Sequence, residues 1–514
     1  MGTISEAWNA SLIALIPKVQ NPDFISQFRP IGLCNVAYKI VTKLIVLRLC
    51  SLIGDLISPL QASFIPGRKG IDNVLILREF VYSFSKKIGR IGDMIIKIDL
   101  EKAYDRLEWS FVREALIFFN FPPILISIIM SCLSSADFAI VINGRTSDSF
   151  KPSRGLRQGD PLSPYLFMLC VKFLSMKLQG DSNMREWKGT KLGKRGPIIS
   201  HLFFADDLIF VGKASLSNAT YLENLLAFFC QRSSQKINLS KSKILFSHNV
   251  TVETKLNICA KLNIPETHSL GKYLGFPISP KRLSKADCSF IVDKVRSKLT
   301  SWKAGMLSKA GRVTLASSVL STIPNYYMQG AYLPESIHKE LDSLTGQFIW
   351  GSTSEKRKTH LVSWDRVTQP KKLGGLGLRS SKEANQALMA KVQWRMISEK
   401  DRLWSKAFCE KYKIQDPKSD FKKASPVMHN IAKGNHILVK GVKWIPHSGD
   451  KILFWTDFWV GNRPLTDLLF GPFTPDSLNQ KIKDVCLPSG QWKWEEIAYP
   501  LPFDLKQQIM AIPM

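Results

Sequence analysis

Two adjacent aspartates, Asp206 and Asp207, interrupt the apolar run FFADDLIF. Burying an unpaired carboxylate costs several kcal/mol. Either the pair sits on a solvated hairpin tip, where turns favour aspartate, or a site there needs negative charge. The flanking Phe203, Phe204, Leu208, Ile209 and Phe210 make a solvated tip the poorer reading. A third acid, Asp99, ends the apolar run MIIKID and is followed by LEKAYD. If the strands carrying these acids are neighbours, three carboxylates meet and repel one another unless divalent cations lie between them. Hard oxygen donors select Mg²⁺ or Mn²⁺. Two such ions about 3.5–4 Å apart activate an attacking hydroxyl and stabilise a leaving pyrophosphate. That chemistry belongs to polymerases and nucleases.

Charge points the same way. The 514 residues include 71 Lys and Arg against 42 Asp and Glu, a formal net charge of +29. Such a surplus repels itself unless a polyanion neutralises it, so nucleic acid is the first partner to consider and an anionic membrane surface the second. A hydrophobic share of 45% with 22% charged residues excludes a mainly disordered chain. The length fits roughly three domains. No apolar run reaches the ~18 residues of a membrane span. The longest candidate, residues 115–130, is broken by Asn120 and Pro122-Pro123. The first residues lack a secretory pattern. The nine cysteines form no C-x-x-C pair, which fits reduced thiols rather than a disulfide framework or zinc site. His436 and His447 are isolated and read as surface histidines. A phosphate-binding G-x-x-x-x-G-K-[ST] loop is missing from the sequence.

The elements that would position the acids are legible in outline. Residues 93–100 and 137–143 read as strands, the second ending at the turn Asn143-Gly144. Residues 201–212 read as a tight hairpin, 160–178 as a helix opened by Asp160-Pro161, and 243–247 and 272–278 as further strands. In YKIVTKLIVLRL a helical period puts Ile40, Val41, Leu44 and Leu47 on one face and Lys39, Lys43 and Arg48 nearer the other. Beyond about 280 helical patterns dominate, and residues 281–312 carry nine Lys or Arg against two Asp. Tryptophans gather after 390, where burial in a core is the simpler reading and stacking on bases the alternative. The expected parts are 1–280, a basic helical part at 281–400 and a Trp-rich part at 401–514.

The motifs, taken together, resemble a known family. KIDLEKAYD (97–105) resembles motif A of reverse transcriptases, SRGLRQGDPLSPYLF (153–167) motif B and FADD (204–207) motif C. FRPIGLCNVAYKI (28–40), QASFIPGR (61–68), NLSKSK (238–243) and YLGFPI (273–278) occur around them in family order. The set is similar to non-LTR (LINE-type) retrotransposon reverse transcriptases, especially their plant branch. LSKAGRV (307–313) and LGGLGL (373–378) continue the likeness more weakly.

The resemblance implies an α+β right-hand polymerase: partial fingers and an antiparallel-sheet palm within 1–280, a helical thumb within 281–400, and a mostly helical C-terminal extension. It implies RNA-directed DNA polymerase activity with two Mg²⁺ or Mn²⁺ ions, and an RNA template, a DNA primer and dNTPs as partners, without a membrane. Asp99 and Asp206 would ligate the metals, with Asp207 as third acid and the Leu100 carbonyl assisting. Tyr104 would be the steric gate under the sugar; apart from the motif it reads as a core tyrosine. Gln158 and Gly159 would line the nucleotide, Gly159 by allowing close backbone approach. Arg68 and Lys39, and more weakly Arg29, would meet the triphosphate, although each also suits a solvated surface. Lys241 would protonate pyrophosphate. Tyr273, Leu274 and Gly275 would form a primer grip, a plain edge strand being the alternative. Full-length elements of this kind add an endonuclease, earlier fingers and a Cys/His region. None of these is in the sequence, so a truncated fragment is expected. A nuclear location follows from the family alone. The rival readings are a catalytically dead RNA-binding fragment and a metal-dependent nuclease. Motif B and Tyr104 argue against the nuclease, because cutting needs no nucleotide pocket.

Overall fold

The apolar segment after Asn9 forms β1 (Ala10–Pro17), which pairs antiparallel with β2 (Phe28–Cys34). The computed structural model describes residues 4–180, 187–301, 307–352, 358–414, 416, 419, 424–446, 449–450, 452–469, 472–487 and 490–512; His447 lies outside them. Asn35 caps the next helix, α1 (Val36–Leu56), its side chain accepting the Ala37 amide. There follow α2 (Gly70–Ser85), β3 (Asp93–Ile98), α3 (Trp109–Phe118) and α4 (Pro123–Ser134). The break between α3 and α4 falls at Asn120, in left-handed backbone, and Pro122. β4 (Asp137–Ile142) lies parallel to β1 and turns through Asn143-Gly144, both at positive φ, into β5 (Arg145–Thr146). The first sheet thus has the order β2-β1-β4-β5.

The second sheet takes β3 at its centre. After α5 (Ser163–Gln179) come β6 (His201–Phe204), β7 (Asp207–Lys213), α6 (Leu216–Ser233) and β8 (Lys243–Phe246). The order is β8-β3-β7-β6, antiparallel throughout. Met94, Ile96, Ile98, Leu208 and Phe210 join the core made with α1, α3, α5 and α6. Ile95, Ile209 and Val211, which alternate with them, are also fully buried, so both faces of the sheet are covered. A short hairpin, β9 (Lys272–Tyr273) and β10 (Phe276–Pro277), is tied to this sheet where the Lys97 ammonium donates to the Lys272 carbonyl.

In α1 the buried side chains are Tyr38, Thr42, Ile45, Val46, Leu49 and Ile53. Ile40, Leu44 and Leu47, the face singled out by the sequence pattern, are exposed. The helix is apolar nearly all round, so periodicity could not choose between its faces.

Two compact units emerge. Met1–Asp287, Glu399–Lys413 and Ala424–Val427 form one, and Cys288–Ser398, Ile414–Lys423 and Met428–Met514 the other. Among the described residues no strand follows Pro277. The later helices include α7 (Lys285–Ser301), α8 (Glu335–Trp350), α9 (Ser381–Ser398) and α10 (Leu403–Tyr412). In the second unit Trp455 and Trp459 are core residues beside Phe454, Leu465 and Ile482, and Trp394 is exposed. α10 belongs to the first unit, where Glu79 of α2 is fully buried. Glu79 accepts from Lys411 (2.5 Å), Tyr412 (2.6 Å) and Ser425 (2.6 Å). All nine cysteines are free thiols, and no described helix is long and apolar enough to cross a membrane.

Candidate active site

Asp99 follows the last residue of β3, and Asp207 opens β7. Ile98 pairs with Leu208, and one further step of this antiparallel register sets Asp99 opposite Asp207. Asp206 lies in the two-residue turn between β6 and β7, whose closing pair is Phe204 with Asp207. The three acids therefore share one end of the two central strands. Asp206 is exposed at the turn, yet enough protein surrounds it that desolvation is the main cause of its raised pKa; the charge of Asp99 adds to this, and Arg29 opposes it. Asp207 is raised as well, by burial and then by Asp206 and Asp99, with Lys97 opposing.

The turn itself is held from outside. Ala205 is buried and has φ +53°, a backbone that costs a non-glycine residue about 1–2 kcal/mol. Its amide donates to Ser63 Oγ (2.9 Å) and Gln61 Oε1 (3.4 Å). The segment before the turn is held too: the Phe203 amide donates to the Leu60 carbonyl, and the Phe203 carbonyl accepts from the Ala62 amide and the Asn73 side chain.

Backbone bonds also fix the Asp99 side. The Asp99 amide donates to Ser242 Oγ (3.2 Å), and its carbonyl accepts from the Asn238 amide (2.8 Å). Glu101 donates to Lys236, so Leu100 and Ile237 form a pair without mutual hydrogen bonds. That pattern directs the Leu100 carbonyl away from residues 236–238 and toward the β7 side. Lys241 is exposed in the same turn, its amide bonded to Asn238.

The motif A and motif B residues lie together. Tyr104 stacks on Phe167, with ring centroids 4.8 Å apart and planes within 13°. Burial raises its pKa, and the nearby Asp206 charge raises it further. The Tyr104 carbonyl accepts from the Leu156 amide and that of Leu107 from Gly155, which locks the two segments in register. The Gln158 side chain bonds Asp105, and its carbonyl accepts the Gly32 amide at 2.6 Å. Gly159 has φ +108°, and a Cβ there would stand 2.5 Å from the Gly32 carbonyl oxygen. The close approach that requires this glycine is therefore to β2.

Two of the expected triphosphate cations make no contact with the acids among the described residues. The Arg68 guanidinium donates to the carbonyls of Gly54, Ile57, Ser58 and Gln61, closing the end of α1 and the turn after it. Its donors are spent on backbone, and burial with the nearby Arg402 charge lowers its pKa to about 10. Lys39 is exposed in the first turn of α1, and among the described residues no contact links it to the acids. Arg29, the weakest of the three by sequence, is the cation that acts on Asp206. Tyr273 is buried, with its hydroxyl 3.4 Å from the Asn73 amide nitrogen. Leu274 and Gly275, at φ +50° and +75°, make the turn of the β9–β10 hairpin. Both the Leu274 side chain and the Phe204 ring abut Gly70, which sets that turn beside the segment leading to Asp206.

Among the described residues no three carboxylate, histidine or cysteine side chains already converge as a ligand cage. The donor chemistry nevertheless suits a hard cation: three carboxylates at one strand end, two of them, Asp206 and Asp207, with ionisation disfavoured first by burial and then by neighbouring carboxylates, beside a backbone carbonyl. Mg²⁺ is commonly held by only one or two carboxylates, with water and substrate phosphates completing the shell.

A family model described as reverse transcriptase (RNA-dependent DNA polymerase) matches residues 16–278, just over half of the sequence. The chain belongs to the reverse transcriptase family. An Arabidopsis thaliana protein named for ribonuclease H is 40% identical over 230 residues, 43% of this chain and 37% of that protein. A 149 kDa protein of the Xenopus laevis transposon TX1 is 26% identical, covering 73% of this chain and 28% of its own length. A Pol polyprotein from a type-2 retrotransposable element of Drosophila melanogaster is 27% identical, covering 44% of this chain and 20% of its own. This reverse transcriptase-family chain thus spans well under half of those relatives. Telomerase of Candida tropicalis with a telomeric RNA fragment superposes at TM-score 0.35 and 15% identity, over 85% of this chain and 65% of that one, a likeness too slight to bear on the site.

Sequence reasoning passed over several buried polar residues around the site. Arg157 donates to Asn9 Oδ1 (2.7 Å) and Ser11 Oγ (2.9 Å) and lies over the rings of Tyr38 and Phe138. Asp160 accepts the Tyr38 hydroxyl at 2.8 Å. Both stand inside the motif B stretch, but nothing in that stretch names their partners in β1, α1 and β4.

Proposed function

We propose that this chain carries out RNA-templated DNA synthesis, joining a primer 3′-hydroxyl to the α-phosphorus of a dNTP with release of pyrophosphate. The observation that carries the reading is the placement of Asp99, Asp206 and Asp207 at one end of two paired strands, with Tyr104 close enough to Asp206 to feel its charge. A nuclease needs the acids but not the aromatic ring or the motif B loop locked to it. Bound divalent ions, Mg²⁺ or Mn²⁺, would acidify the primer hydroxyl and neutralise the leaving pyrophosphate. Asp99, Asp206 and the Leu100 carbonyl would hold them, with Asp207 keeping the local field negative. Tyr104, braced by Phe167, would exclude a 2′-hydroxyl, and Gln158 would line the nucleotide while Gly159 lets its loop close on β2. Lys241 is the proposed proton donor to pyrophosphate, and the Tyr273–Gly275 turn the proposed primer grip. The basic helical part at 281–400 would follow the duplex backbone as a thumb, releasing counterions. A nuclear site of action goes with the same reading.

Primer extension on an annealed RNA template tests it, with Mg²⁺ and dNTPs and Asp206→Asn alongside. The parent should extend, and the variant should lose more than roughly 10³-fold while still binding hybrid. A folded parent that binds hybrid without extending it would instead identify an RNA-binding remnant.

A further inference from the structure

We infer that Ser63, oriented by Gln61, is a positioning residue that sets the backbone of the Asp206 turn and thereby the direction of its carboxylate. The inference rests on the polymerase reading for its catalytic consequence, and on the geometry of the turn for everything else.

A two-residue turn leaves Asp206 little freedom of its own. Its closing pair, Phe204 with Asp207, is fixed by β6 and β7, so the torsions at Ala205 decide where Asp206 points. Ala205 occupies left-handed backbone that alanine disfavours, and its amide is buried where an unmet donor is costly. Ser63 Oγ supplies the acceptor at 2.9 Å. The hydroxyl can accept there because its own hydrogen is committed elsewhere, donating to Gln61 Oε1 at 3.0 Å. Gln61 Oε1 also accepts the Ser63 amide (3.2 Å) and the Ala205 amide (3.4 Å). All its partners donate, so the amide group can face only one way. The cost is visible on the other side of that group, because the buried Gln61 Nε2 has no partner among the described residues. Both side chains are buried, so water cannot replace either one.

The same segment braces the approach to the turn. Leu60 and Ala62 exchange backbone bonds with Phe203, and Gln61 forms a parallel bridge with it. β6 is the outer strand of its sheet. The stretch from Leu60 to Ser63 therefore acts as a short further strand that ends in a hydroxyl aimed at the turn amide. Losing that hydroxyl removes the shorter of the two side-chain bonds that the Ala205 amide makes among the described residues, and Asp206 then samples several directions. Groups that orient metal ligands from behind typically change metal affinity or activity by about 10–100-fold.

The experiment uses the full chain and four proteins: the parent, Ser63→Ala, Ser63→Thr and Ser247→Ala. Ser247 is equally buried and accepts the Asp93 amide at the opposite end of β3 (2.8 Å), so its loss matches the structural damage without touching the turn. Three readouts are taken: Mn²⁺ binding by electron paramagnetic resonance, hydrogen exchange at the Ala205 amide, and primer-extension kcat against dNTP KM. For Ser63→Ala the expected result is Mn²⁺ binding weakened about tenfold, faster Ala205 exchange, and a fall in kcat with KM unchanged. Ser63→Thr, which keeps the acceptor, should recover Mn²⁺ binding. Ser247→Ala should lower the melting temperature and leave Mn²⁺ binding at the parent value. Mn²⁺ binding by Ser63→Ala equal to that of Ser247→Ala overturns the inference, as does a parent that binds no Mn²⁺. A parent that binds Mn²⁺ but extends no primer defeats the polymerase reading alone, and the positioning role is then decided by Mn²⁺ binding and amide exchange.

Discussion

Arg68 and His201 each do something other than their side chains advertise. Arg68, a cation in a glycine-flanked basic loop, spends its guanidinium on four carbonyl oxygens. Replacing it with alanine should lower the stability of the chain by about 2–4 kcal/mol, measured by urea unfolding, and leave the KM for dNTP unchanged. A raised KM with stability intact would return Arg68 to the triphosphate. His201, at the start of β6, is buried between the hydroxyls of Ser175 and Ser200, both at 2.8 Å. Burial, helped by Lys172, lowers its pKa to about 3, against ~6.5 in an unfolded chain. The unfolded state therefore binds the extra proton first. Stability is fully present above about pH 6.5 and falls as the pH drops toward 3, by about 1.4 kcal/mol per pH unit for this one group. His338, lowered to about 4 mainly by burial, adds to the same slope. Melting temperatures of the parent and His201→Gln between pH 7 and 5 check this, and the variant should show the shallower decline.

The loop carrying Gln158 and Gly159 makes a sharper case at the level of elements. It reaches β2 through the bond from the Gly32 amide and by the absence of a side chain at Gly159. Gly159→Ala forces a Cβ against the Gly32 carbonyl and should cost on the order of 1–3 kcal/mol in strain. Its effect on primer extension should be a raised dNTP KM, because Gln158 moves with the loop. An unchanged KM would detach that loop from the nucleotide. Strands β3, β4 and β8, the β6–β7 hairpin and the acids were legible in sequence because each announces itself locally: apolar runs of strand length, turn residues at their ends, carboxylates where carboxylates are expensive. Residues 272–278 read as one strand but form the β9–β10 hairpin, because Leu274 and Gly275 turn the backbone at positive φ. What was illegible was pairing. β2 reads as a motif without a strand period, and its role emerges only against β1 and Gly159. The buried face of α1 could not be chosen because Ile40, Leu44 and Leu47 are as apolar as Ile45, Val46 and Leu49. Gln61 and Ser63 stand in a recognisable motif, but the amide they serve lies at position 205, and no spacing rule links the two.

At the scale of the molecule, Glu79 connects parts that sequence order keeps far apart. Its carboxylate is enclosed by Lys411, Tyr412 and Ser425 within one compact unit. Lys411→Met leaves a buried carboxylate short of its cation and should cost about 3–5 kcal/mol. Adding Glu79→Gln should recover much of that loss, a coupling that a double-mutant cycle on thermal unfolding would measure. Simple additivity of the two changes would show that the carboxylate does not depend on the Lys411 charge.

The Glu79 cluster also orders events in time. Ser425 lies 346 residues beyond Glu79, and a ribosome adding roughly 5–20 residues per second needs about 17–70 s to cover that distance. Through that interval α2 is already made while its carboxylate awaits every partner. Once synthesis has passed Asp207, a nascent chain has its three acids and motif B loop made but its unit unclosed, an open form that chaperones and proteases can reach before α10 arrives.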